Sequence, residues 1–228
     1  MKKTSILLLI SCIAAIAAAP GARAQTADAG TAYAAPAPAG GFSVDLSYEL
    51  TIPSGSKGWL STGSGAFLSA RYKLPLSSRF YFEPGIGGYY STMGSDYMQV
   101  DNFVYQGTFK NIGIRIPLMV GYEFEASPSL HMSVATGPML NVNVYMREQA
   151  MPAAQAPVRE PQSINLFSRG FRRVEGLWGL QLSFTFREHY VAGITASTAF
   201  TPLARFGNHD NKLRIRRSTL GIMLGYRF

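Results

Sequence analysis

Cysteine is almost missing from this chain of 228 residues; Cys12 is the single one. No disulfide framework can form within the chain, and no thiol-based metal site. Histidine is nearly as scarce. His131, His189 and His209 are scattered and make no recognisable ligand spacing, so no metal and no cofactor are expected. No Gly-rich phosphate loop joins a strand to a helix. Motifs for nucleic acid are absent too, and nucleic acid is not an expected partner. Beyond residue 24 no apolar run approaches 18 residues, which excludes a transmembrane helix there. Were such a chain to span a membrane, it would have to close into a β-barrel.

What is present begins with an export signal. Lys2 and Lys3 precede the apolar stretch Ser5 to Ala19, and Ala22-Arg23-Ala24 forms a small-x-small cleavage site. Residues 1–24 are therefore expected to be removed. A rival reading takes "LISC" (9–12) as a lipoprotein box with Cys12 lipidated, but the apolar run continues past it. The formal charge of +8 includes Lys2, Lys3 and Arg23, so the remainder carries +5. Residues 25–40, "QTADAGTAYAAPAPAG", read as a flexible Ala/Pro-rich arm.

From Gly41 the hydrophobic period becomes two. Phe42, Val44, Leu46, Tyr48, Leu50 and Ile52 share one face; Ser43, Asp45, Ser47, Glu49 and Thr51 share the other. The same alternation recurs near 65–74, 79–91, 109–124, 129–144, 173–186, 189–201 and from about Leu213 to Phe228. Eight such segments, with no helical segment after the leader, predict an all-β, eight-stranded, antiparallel up-and-down transmembrane β-barrel over 41–228. Connections near 75–78, 125–128 and 187–188 are short. Those near 53–64, 92–108, 145–172 and 202–212 are long, as in an outer-membrane barrel.

A soluble barrel also alternates, with its apolar face inward. Here the apolar set is large and nearly free of charge, while the opposite set mixes charge with glycine, which suits a narrow lumen. Phe42, Tyr72, Phe80, Tyr122, Phe124, Phe184, Phe186, Tyr190, Tyr226 and Phe228 cluster at the short-turn end, as an interfacial girdle would. A secreted β-sandwich would need shorter connections. The expected home is the outer membrane of a Gram-negative cell, with both termini in the periplasm.

The stretch "NIGIRIPLMVGYEF" (111–124), followed by "LHMSVATGPMLNVNV" (130–144), resembles the small PorT-like outer-membrane β-barrel family of Bacteroidetes, and "LGIMLGYRF" is similar to its closing strand. The resemblance covers about Gly41 to Phe228. It implies an outer-membrane barrel; one member is associated with protein secretion and most are uncharacterised, so no activity follows. The last strand also resembles the signal read by the barrel-assembly machinery, through Thr219, Gly221, Leu224, Tyr226 and Phe228.

Asp45, Glu49, Arg71, Lys73, Glu83, Arg115, Glu123, Glu175 and Arg227 are expected in the lumen. Pairing the second and third strands sets Arg71 nearly opposite Glu83, with Asp45 at similar depth. Buried charges must pair, which predicts an Asp45–Arg71–Glu83 cluster of structural rather than conducting role. Basic residues gather in or beside the long loops, among them Arg147, Arg169, Arg172, Arg173, Arg205, Arg214, Arg216 and Arg217. Such a rim suits the phosphates of lipopolysaccharide. His131 and Ser133 share one strand face, but with a lumenal position far from an acyl substrate a lipid-modifying enzyme is the weaker reading. The expected role is non-enzymatic: a structural or binding barrel that docks a protein or lipopolysaccharide through its loops. A narrow pore is the alternative.

Overall fold

The computed structural model describes residues 40–55, 60–100, 103–152, 162–206 and 213–228. The expected leader, Cys12 and the arm up to residue 39 lie outside the described residues. The strands are β1 (Gly41–Ser54), β2 (Leu60–Ser61), β3 (Gly63–Pro75), β4 (Phe80–Val100), β5 (Phe103–Ser127), β6 (Leu130–Pro152), β7 (Gln162–Asn165), β8 (Val174–Phe186), β9 (Tyr190–Ala199), β10 (Ala204–Phe206) and β11 (Leu213–Arg227).

Eight long strands form the wall in the order β1-β3-β4-β5-β6-β8-β9-β11, each antiparallel to the next. β11 then pairs back onto β1, with Tyr226 opposite Val44 and Leu220 opposite Leu50. The ladder is closed, so this wall has no free edge. Side chains obey the predicted alternation in an inverted sense. Asp45, Ser47, Glu49 and Thr51 are buried inside, whereas Val44, Leu46, Tyr48, Leu50 and Ile52 stand outside. On β11, Ile222 is 64% and Leu224 68% exposed while Met223 between them is 1% exposed. A continuous apolar outer band of this kind is stable only against lipid.

The wall is taller than the alternation suggested. The segments expected as loops near 92–108 and 145–172 continue as strand to Val100, from Phe103 and to Pro152. Outward positions there are Thr92, Gly94 and Thr108. Backbone pairing persists beyond the belt, where no lipid demands apolar side chains, so the hydrophobic signal stops before the strand does. A bulge also intervenes. Ile112 pairs with Tyr145 but Gly113 with Asn143, leaving Val144 extra. Val144 and Tyr145 both face outward, and beyond them Met146 and Glu148 turn inward.

The wall is all strand, and one 3-10 turn, Leu166–Arg169, interrupts the connection after β7. Asn165 caps it by accepting the Phe167 N–H at 3.1 Å, and Gly170 ends it with φ 85°.

Candidate functional site: the lumen and its long-loop mouth

Polar side chains on the inner face leave water only if they satisfy one another. At the short-turn end Lys73 pairs with Glu123 and sits 4.3 Å from the centre of the Tyr81 ring. His131 Nδ1 lies 3.7 Å from the same glutamate. Next comes Arg71, between Asp45 (Nε to Oδ2 3.3 Å) and Glu83 (Nη1 to Oε2 3.6 Å). Arg71 pairs in register with Gly85, so Glu83 is reached diagonally rather than from directly opposite. Arg71 also donates to Gln181.

Midway, Arg115 Nη1 donates to Glu49 at 2.5 Å and its Nε to Asn141 at 3.0 Å, over the ring faces of Phe67 and Tyr89. Above it, Arg217 pairs with Glu175 and donates to the Tyr89 hydroxyl at 3.1 Å. Asn111 donates to Asn143 at 2.9 Å in the same layer. Small residues make room for this filling. A Cβ at Gly121 would fall 2.2 Å from the Tyr81 ring, and one at Gly225 would fall 2.1 Å from Asp45 Oδ1. Between the Arg71 and Arg115 layers lies a cavity of about 20 Å³, bordered by Glu49, Met119 and Met139. That holds about one water.

At the long-loop end the lumen turns apolar. Leu60, Met93, Phe109, Met146 and Ile215 point inward from the wall. Leu166, which opens the 3-10 turn, and Phe171, just beyond it, descend onto them beside Leu203 and Ala204. Phe109 and Phe171 stack with centroids 5.8 Å apart. Backbone bonds hold this plug: Asn143 N donates to Arg173 O at 2.6 Å, Arg172 N to Leu203 O at 2.8 Å, and Leu203 N to Ile215 O at 2.8 Å. Asn143 Nδ2 adds a side-chain contact, to Arg172 O at 2.8 Å. The charged layers thus lie beneath an apolar cap built from the two loops that follow β6 and β9.

The lumen charges fall where alternation put them: Asp45, Glu49, Arg71, Lys73, Glu83, Arg115, Glu123, Glu175 and Arg227 are all buried. Two charges from the segments read as long loops, or beside them, also point inward. Arg217, placed on the rim, is 1% exposed and belongs to the lumen. The alternation of β11 contained that signal, because Arg217 shares the parity of Thr219 and Gly221. Glu148 is buried as well, and the bulge at Val144 hides its direction from any reading of sequence alone. Of the other rim arginines, Arg147, Arg172, Arg173, Arg214 and Arg216 are exposed. Arg173 lies 4.3 Å from the centre of the Phe167 ring. The side chains of Arg169 and Arg205 lie outside the described residues.

Other predicted groups sit as follows. Ser133 Oγ is 2.7 Å from Ser183 Oγ and His131 faces Glu123, so neither hydroxyl nor imidazole is in a nucleophile–base bond with the other. Among the described residues, no group of three His, Cys, Asp or Glu side chains is placed to hold a metal. On the closing strand Thr219 is buried, bonded to Ser197 at 2.8 Å. Tyr226 and Phe228 point outward in edge-to-face contact at 5.1 Å.

No family model matches the chain, and no curated protein sequence matches it either. Solved structures do. Ail, the attachment invasion locus protein of Yersinia pestis, is 14% identical, with 83% of this chain and 99% of that one covered and a TM-score of 0.42. Neisserial surface protein A is 12% identical over 82% and 97%, with a TM-score of 0.44. The outer membrane protein OprG from Pseudomonas aeruginosa is 9% identical over 86% and 98%, at 0.41. At such scores these likenesses are resemblances only. The chain's own closed ladder and inverted faces define its class: an eight-stranded membrane-spanning β-barrel.

Proposed function

We propose that this chain is a non-conducting outer-membrane barrel of a Gram-negative envelope, with no catalytic role, that binds an envelope partner at its long-loop end. The short turns and both termini lie in the periplasm. The long-loop end, with its exposed arginines, faces outward and meets lipopolysaccharide or an envelope protein. The PorT-like resemblance agrees with this reading and adds no activity to it. Thr219, Gly221, Leu224, Tyr226 and Phe228 serve as the assembly signal on the strand that closes the wall.

The observation that carries the reading is the double closure of the lumen. Paired charges fill it from Lys73 to Arg217, and the Leu166/Phe171/Leu203 plug caps it. A solute would have to break both. The test is recording from planar bilayers after reconstitution. The expected trace shows no steady unitary conductance at any voltage. Reproducible ion-selective steps would overturn the reading in favour of a pore.

A further inference from the structure

We infer that Lys110 and Arg147 form a phosphate clamp for the headgroup of a membrane lipid on the outer wall of the barrel. The inference deepens the binding role proposed above by naming a site on the strands rather than in the loops, and a ligand chemistry.

Register sets the two side by side. Thr92, Lys110, Arg147 and Asn165 are successive partners across β4, β5, β6 and β7. Lys110 follows the outward parity of Ile112 and Ile114, and Arg147 that of Tyr145, so both cations point away from the lumen. Directly opposed residues on neighbouring strands have Cβ atoms about 5 Å apart, where like charges repel. Among the described residues no carboxylate relieves them, and neither residue is in an ion pair there. No described carboxylate stands on their row or on the next, which runs Gly94, Thr108, Gln149 and Ser163.

Height selects the ligand. The row just beneath is Tyr90, Ile112 and Tyr145, all exposed, the upper edge of the apolar belt. Tyrosines at that edge mark the level of lipid headgroups. Arg147 is held there by its own belt residue, with Cζ 5.3 Å from the centre of the Tyr145 ring. A phosphate at this level receives two charge-assisted donors while its acyl chains lie on Ile112 and Ile114. Free phosphate would lack that second contact, so the site favours a lipid.

The experiment is native mass spectrometry of full-length protein released from detergent, with lipid added. The probes are a bis-phosphorylated lipid A, its dephosphorylated form, phosphatidylglycerol and inorganic phosphate. Wild-type protein is expected to retain a phosphorylated lipid and not the dephosphorylated one, with inorganic phosphate failing to displace it. The comparison of lipid A with phosphatidylglycerol names the source. Lys110→Gln with Arg147→Gln should weaken retention about tenfold or more, the size of a charge-assisted hydrogen bond. Arg147→Glu should abolish it while raising the temperature of unfolding, because the new carboxylate neutralises Lys110 internally. Equal retention in the Lys110/Arg147 variants, or equal binding of the dephosphorylated lipid, would overturn the clamp. If wild-type protein conducts yet loses lipid in the variants, only the non-conducting reading falls; if it is silent and holds lipid regardless, only the clamp does.

Discussion

Arg217 and Arg216 are adjacent in sequence and opposite in circumstance. Arg216 is exposed; Arg217 is sealed in the lumen against Glu175 and Tyr89. Removing one partner of a buried pair strands the other charge, which costs about 3–5 kcal/mol. An exposed arginine costs within about 0.5 kcal/mol. Arg217→Ala is therefore expected to lower stability in vesicles by the larger amount and Arg216→Ala by the smaller, read from urea titration followed by Trp178 fluorescence. Replacing both members, as Arg217→Met with Glu175→Leu, should recover most of the loss. Equal effects of the two single changes would contradict the assignment of Arg217 to the lumen. Parity made Arg217 legible in the sequence; its neighbours in a supposed loop concealed it.

At the scale of elements, the segment 162–173 is the one that sequence patterning could not place. It has no period, and its apolar residues, Leu166, Phe167 and Phe171, gain meaning only from the ring of Leu60, Met93, Phe109 and Ile215 beneath. Those four come from four separate strands of the chain. The plug rests on that apolar packing and a few backbone bonds, so it should open without the barrel unfolding. Leu166→Ser with Phe171→Ser is expected to free the backbone beside Arg172 and Arg173 for cleavage by trypsin, giving two fragments. The strands should stay paired, and unheated protein should keep its fast electrophoretic mobility. Resistance to trypsin in this variant would show that the segment is held by something other than the apolar contacts.

The whole molecule is decided by which face meets lipid. On a soluble barrel, a position as exposed as Ile222 would accept arginine readily. On a membrane wall the same change near mid-depth costs about 2–4 kcal/mol. Ile222→Arg is thus expected to destabilise the vesicle-embedded protein by that amount in a urea titration, and a change near zero would remove the inverted-face assignment. Closure through β11 and β1 ties the ends of the chain into one ladder. That makes the last strand as structural as any other, despite its position.

By itself the sequence determined the eight strands of the wall, the inner and outer face of each strand within the apolar belt, and most of the charges that line the lumen. Those properties are local: a period of two is written in neighbouring residues, and a buried charge is recognisable by its parity. The tertiary structure alone decided how far the strands run, who pairs with whom, and what closes the mouth. The ladder outlasts the hydrophobic signal above the belt. A single extra residue at Val144 reverses the direction of Met146 and Glu148. The contact of Lys73 with Glu123, and of Phe171 with Phe109, joins residues whose separation in sequence carries no trace of their meeting. These depend on register between strands, which is a property of the closed wall and not of any stretch within it.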